Sequence, residues 1–363
     1  ESLLEAQRDF LTWLVELAAA RSVDAVLVAG DVYDRAVPST DAVVLLDEAL
    51  SAFVRAGIPV MLTSGNHDSA IRLGFGSQVQ RAAGVHLRTR LSELATPLVL
   101  TDDGGQVAVY GIPYLLPDAV MIELAAERSH TGVLSAAVRR IRDDAAERGI
   151  ERIVVLSHAF VTGGSACESE RDIRVGGIAD APADVFAGLC YAALGHLHGA
   201  QQVGANARYS GSPLAFSFSE RNHVKSVTVI DIDAAGGVST ELVAVPVVRS
   251  LREVRGRLTE LLELHDPELA EAWVKVVLTD PRRPAAPMER LRARWPHTVV
   301  LDFVPDGESV ESVTDLLRLA ESADPVEICA HFVEWVESTR PDRQHEDVLR
   351  SAVEAVRRAE LSA

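Results

Sequence analysis

Short apolar runs alternate with longer stretches of helical periodicity along the first half of the chain. Residues 3–20 place Leu3, Phe10, Leu14 and Leu17 on one side of a helix. DAVLVAG (24–30) follows as a short apolar strand. Helical spacing returns over 39–56, where Ser39-Thr40-Asp41 offers N-cap residues, and IPVMLT (58–63) is the next strand. Strand–helix alternation of this kind predicts parallel pairing, with helices covering a sheet. PLVLT (97–101) and VAVYGI (107–112) read as strands joined by the turn DDGG, residues 133–149 as a charged helix, and RIVVLS (152–157) and YAAL (191–194) as buried strands.

From about residue 200 the pattern changes to strand after strand: AQQVGA, ARYSGS, SVTVIDI and STELVAV, which predicts a β-meander. A boundary falls near Pro246. Beyond it, helix (251–264), strand (273–279), helix (286–294) and strand (297–305) predict a small two-layer α/β unit. The last stretch, 346–361, is an amphipathic helix. The expected organisation is a domain over 1–246, a second over 247–340 and a terminal helix over 341–363.

Composition narrows the picture. The 363 residues are 48% hydrophobic and 24% charged, as in a soluble globular protein. No apolar segment approaches the ~20 residues that span a bilayer. Three widely spaced cysteines form no CxxC pair, so neither a disulfide framework nor a thiolate metal site is expected, and a reducing cytoplasm fits. The net charge of −18 argues against coating nucleic acid by bulk electrostatics. A local exception is RRPAAPMERLRAR (282–294), with five Arg and one Glu, which reads as a solvated helix face or as a nucleic-acid or partner surface.

The chemistry lies at the ends of the strands. DAVLVAG ends in Asp31, IPVMLTSG in Asn66-His67-Asp68, RIVVLS in His158, and YAALG in His196-Leu197-His198. Parallel strands bring their carboxyl ends to one edge, where open α/β sheets bind ligands. Imidazole nitrogen and hard oxygen without thiolate suit Mn, Fe or Zn. A lone carboxylate such as Asp31 can bridge two cations, His196 and His198 can address different ions, and Asn66 adds an oxygen without charge. Two divalent ions against so few carboxylates leave a positive centre, which attracts a phosphoryl group and acidifies water. Gly30, Gly65 and Gly195 stand beside these ligands, where the backbone must turn sharply. Each motif alone is weak, since GNHD is also a turn and a single His after a strand is commonly an ordinary polar residue. Their joint occurrence in this order carries the reading. Cys167 reads as a small loop residue, and the other histidines (86, 130, 223, 265, 297, 331 and 345) as surface or core residues.

With GDVYDRAVPS (30–39), SGNHDS (64–69), LSHAFVTGG (156–164), ERDIRVGG (170–177), YAALGHLHGAQ (191–201), YSGSPLAFSFSE (209–220) and RARWPHTVVLDFVP (292–305), the chain resembles the calcineurin-like metallophosphoesterases, and within them the SbcD-type nuclease subunits. The resemblance implies a four-layer αββα sandwich followed by a small α/β DNA-capping domain. It implies two metal ions, manganese above all, with Asp31 bridging, Asn66, His158 and His196 completing one ion, and His198 belonging to the other. His67 would contact the scissile phosphate and help protonate the leaving oxygen, with Asp68 orienting it. It further implies action on double-stranded DNA ends and hairpins, a homodimer, a coiled-coil SbcC-type ATPase partner, and a cytoplasmic, nucleoid-associated location without a membrane; the helix over 346–361 reads as the dock for that partner or as a helix packed on its own domain. The family opens with a strand and an Asp-x-His motif that supplies two more ligands; this sequence begins at Glu1, in the helix that would follow. Two other readings stay open: a small-substrate phosphodiesterase of the same superfamily, and a catalytically impaired scaffold for the ATPase.

Overall fold

The computed structural model describes residues 3–165, 167, 181–247, 249–306, 324–337 and 340–360. ERDIRVGG lies outside the described residues. The chain divides into two compact units, 1–248 and 249–363.

The first unit is built on two sheets. Helix α1 (Leu3–Ala20) leads into β1 (Val26–Val28), α2 (Thr40–Arg55), β2 (Val60–Thr63), the short helices α3 (Ala70–Leu73) and α4 (Ser77–Ala82), and β3 (Val85–Arg88). β1, β2 and β3 form a parallel sheet in that order. The Ser39 hydroxyl caps α2 by accepting from the Ala42 N–H. The second sheet has six strands, from β4 (Leu98–Asp102), β5 (Gly105–Ile112), β6 (Arg152–His158), β7 (Tyr191–Gly195), β8 (Gln201–Gln202) and β9 (Ala207–Tyr209), in the order β4-β5-β6-β7-β9-β8. Its neighbours β5, β6, β7 and β9 are parallel. Helices α5 (Pro117–Leu124) and α6 (His130–Arg148) connect β5 to β6.

The layering follows from the period-two alternation of side chains. Val60 and Leu62 join the core under α1 and α2, whereas Met61 between them points to the other sheet. Val107, Val109, Val154 and Leu156 meet Met61 between the sheets. Ala108, Tyr110, Ile112, Ile153 and Val155 face outward onto Leu134, Val138 and Ile141 of α6. Helix, sheet, sheet and helix therefore stack as an α/β sandwich, with β1, β2, β5, β6 and β7 each feeding two cores.

Residues 200–246 do not form one meander. β8 and β9 extend the six-stranded sheet, while β10 (Ser226–Ile232) and β11 (Val238–Ala244) form a separate antiparallel pair. Between them, the segment after Tyr209 is loop with one 3-10 turn at Phe218–Glu220. Burial of Glu220 and Lys225 pins this loop through polar contacts in place of a ladder.

In the second unit, β12 (Leu251–Gly256), β13 (Trp273–Leu278) and β14 (Thr298–Phe303) form a parallel sheet. The helix expected over 251–264 divides into strand β12 and α7 (Leu258–Glu263). Spacing in LREVRGRLTELL satisfies a helix, but the first half pairs along β13 and packs Val254 into the core around Trp295. α8 (Glu268–Glu271), α9 (Pro287–Arg294), α10 (Pro325–Glu337) and α11 (Arg343–Glu360) complete the unit. Among the described residues no helix is long and apolar enough to cross a membrane.

Candidate metal centre

The carboxyl ends of β1, β2, β6 and β7 meet at one place, because two glycines let the sheets touch there. Gly195, the last residue of β7, stands so close to β1 that a Cβ on it would lie 1.7 Å from the Ala29 carbonyl oxygen. Gly30 takes a left-handed φ of 79° against the His158 ring, which a side chain would strike at 2.4 Å. Two candidate ligands are themselves in the positive-φ region, Asp31 at 46° and His196 at 115°. Such conformations cost about 1–3 kcal/mol each and persist where the surroundings enforce them.

His158 ends β6 with its ring buried. Its Nδ1–H donates to the Ala29 carbonyl at 2.8 Å, which in the neutral tautomer puts the lone pair on Nε2. That Nε2 lies 2.8 Å from Asn66 Oδ1 and 3.4 Å from Asp31 Oδ2. His196 Nδ1 is 3.3 Å from the same Asn66 oxygen. Asp31, His158 and His196 thus present ligand atoms all within 4.8 Å of one another. Burial and the neighbouring His158 push the His196 pKa down to about 3, so its ring is neutral at neutral pH. Lone pairs facing one another with no proton between them fit a divalent cation, and the nitrogen–oxygen set suits a hard or borderline ion.

His198 lies apart from that set. Its Nδ1 faces Glu220 Oε1 at 3.1 Å, and it groups with Glu220 and Cys167, whose ligand atoms lie within 4.8 Å of one another. Cys167, read from sequence as a mere loop residue, therefore stands beside a candidate ligand.

His67 and Asp68 occupy the turn after β2. The His67 backbone N–H donates to Asp31 Oδ1 at 2.9 Å, and its ring Nδ1–H donates to the Asp34 carbonyl at 2.9 Å. Nε2 is then directed toward Asp31 Oδ2, 3.9 Å away. The Asp68 carboxylate does not reach that ring as the resemblance implies. It accepts from the backbone N–H groups of Gly65 (2.8 Å), Tyr33 (2.9 Å) and Val32 (3.0 Å), tying the turn after β2 to the turn after β1. Burial raises its pKa although these three bonds oppose the shift. Asp34, the second acid of GDVYD, takes the place beside His67, with Oδ1 at 3.5 Å from Nδ1.

This geometry sits inside a segment, residues 5–200, that matches the family described as calcineurin-like phosphoesterase. The chain is also 33% identical over 96% of its length to the SbcD component of the SbcCD nuclease of Rhodobacter capsulatus, covering 87% of that protein. The chain belongs to the SbcD-type calcineurin-like phosphoesterases. It is a phosphodiester-hydrolysing enzyme that binds divalent metal. SbcD relatives of the same name in Staphylococcus saprophyticus (26% identity, 83% of this chain, 80% of that one) and Bacillus subtilis (34% identity, 63% of this chain, 61% of that one) match as well. Residues 247–336 match a second family, described as type 5 capsule protein repressor C-terminal domain.

Three residues with roles here went unassigned in the sequence. Asp34, Glu220 and Lys225 lie in or beside quoted motifs, but nothing in spacing tells a carboxylate that holds a histidine from one on the surface.

Proposed function

We propose that the protein is a manganese-dependent DNA nuclease acting on double-stranded ends and hairpins by a two-metal mechanism. The observation that carries the reading is the convergence of His158 Nε2, Asn66 Oδ1, Asp31 Oδ2 and His196 from two sheets. Asn66, His158 and His196 would hold one ion and His198 the other, with the Asp31 carboxylate available to both. Divalent cations bound there supply Lewis acidity to a phosphoryl oxygen and bring the pKa of water toward 7. The protein's own part is to place the phosphate and manage its proton. His67, held at Nδ1 by the Asp34 carbonyl, presents Nε2 to the departing 3′ or 5′ oxygen and, as the imidazolium with a proton on each nitrogen, gives the Nε2 proton to it and is left as the neutral Nδ1–H ring. Its backbone N–H fixes Asp31 at the same time.

Affinity for DNA in so acidic a chain needs a local positive surface. Arg282, Arg283 and Arg290 of the second unit are exposed, while Arg292 and Arg294 are engaged with the Thr298 and Leu264 carbonyls. The first three residues are the DNA contacts of a capping domain. Ile71, Phe75 and Val79 are 83%, 83% and 79% exposed at α3 and α4, and they form the contact of a homodimer. α11, with exposed Val348 and Val356, docks an SbcC-type ATPase. The names of the SbcCD relatives support that partner.

Turnover of duplex DNA ends against a small aryl phosphodiester, both with Mn2+, tests the reading. A strong preference for DNA that falls when Arg282, Arg283 and Arg290 become Ala supports it. Equal turnover supports the small-substrate reading, and no turnover with metal bound supports a scaffold.

A further inference from the structure

The loop between β9 and β10 buries a charged pair directly behind His198. Glu220 is 1% exposed and Lys225 5% exposed. Glu220 Oε1 faces His198 Nδ1 at 3.1 Å and accepts from the Phe216 N–H at 3.2 Å. Its Oε2 receives the Lys225 ammonium. Lys225 also donates to the His198 carbonyl at 3.0 Å and to Ser212 Oγ at 2.8 Å, and the Ser212 hydroxyl donates to the Leu214 carbonyl at 2.7 Å. The same ammonium therefore holds the backbone of His198 and the carboxylate that faces its ring. Phe216 packs edge-on against that ring, 5.7 Å between centroids.

We propose that the Glu220–Lys225 pair is the positioning element for His198, fixing it as the Nδ1–H tautomer so that Nε2 carries the lone pair toward a cation. The inference rests on the two-metal reading, in which His198 is a ligand. A carboxylate facing Nδ1 admits only a proton-bearing nitrogen there, and in a neutral ring this places the lone pair on Nε2. Metal-binding histidines are commonly held this way by a carboxylate on the far nitrogen. Glu220, His198 and Cys167 are not themselves a cation site, because the Lys225 ammonium already supplies the positive charge that a cation would bring to that carboxylate. Burying a carboxylate and an ammonium together is costly. Their placement against one candidate ligand gives that burial a use.

The direct test needs no metal. Long-range imidazole 15N–1H correlation on the metal-free protein, with the His198 signals assigned by their loss in His198→Gln, is expected to show Nδ1 protonated and Nε2 bare. Manganese titration then compares the parent with Glu220→Ala and Lys225→Met. One of two ions is expected to weaken about 10–100-fold while the other stays within about two-fold. Should the two pair variants fail to fold, the tautomer in the parent still decides. A parent that binds two ions with His198 protonated on Nε2 overturns the positioning alone, as does equal weakening of both ions. A parent that binds a single ion away from His198 overturns the two-metal reading and the role of the pair with it.

Discussion

His158 Nε2 and Asn66 Oδ1 stand 2.8 Å apart, although each offers a lone pair and the proton of His158 is committed to the Ala29 carbonyl. The two residues come from different sheets, one ending β6 and the other following β2. Two acceptors at this distance, with Asp31 beside them, describe a cation site built by the junction of two sheets.

His67 reaches the site from the side through a backbone bond to Asp31, and its ring is held by Asp34. His67→Ala is expected to keep metal affinity within a few-fold and to lose about 10²–10⁴-fold in the rate of DNA hydrolysis. Isothermal titration with Mn2+ beside a cleavage assay measures both. Equal loss of binding would make His67 a ligand.

The three backbone bonds to the Asp68 carboxylate fasten the turn that carries Asp31 to the turn that carries Asn66. Asp68→Ala leaves three part-buried N–H groups without an acceptor. It is expected to lower stability by roughly 1–3 kcal/mol and to weaken metal binding, as read by thermal unfolding and titration. Asp34→Ala, at a largely exposed side chain, is expected to leave unfolding unchanged and to alter only the hydrolytic rate and its pH profile.

His86 lies outside the metal centre, and its buried Nδ1 has no hydrogen-bond partner. Burial, with Arg88 and Arg81 nearby, lowers its pKa from 6.5 to about 4. The folded protein therefore keeps the ring neutral while the unfolded chain takes up a proton below pH 6.5. Stability falls as pH drops from 6.5 toward 4, and this group adds no further loss below that. His86→Leu is expected to make the decline shallower by less than one proton per chain, as read from denaturant midpoints at pH 7, 6, 5 and 4. An unchanged slope would show that the ring is protonated in the fold.

Ile71, Phe75 and Val79 are exposed apolar side chains in the segment that follows the turn carrying His67. Phe75→Glu is expected to convert a dimer to a monomer in sedimentation without moving the unfolding midpoint. A parent that sediments as a monomer would contradict the dimer.

The sandwich was legible because its strands are unbroken apolar runs: Met61 between Val60 and Leu62 already says that β2 has a core on each side. The candidate ligands were legible for a related reason, each following directly from a buried run. What escaped was set by contacts distant in sequence. β12 has helical spacing and becomes a strand only by lying along β13. Asp68, adjacent to His67 in the chain, points away into the turn after β1, and Asp34 takes its place from 33 residues earlier. Glu220 meets His198 across 22 positions, through two short strands and the loop after Tyr209, and no periodicity links the two residues.

Anomalous scattering at the manganese edge, from crystals of the protein grown with Mn2+, tests the central claim most directly. The expected map has two peaks about 3.5–4 Å apart. One is bounded by Asn66, His158 and His196, the other by His198, and Asp31 lies between them. A map with no peak among these side chains, at saturating manganese, would contradict the account.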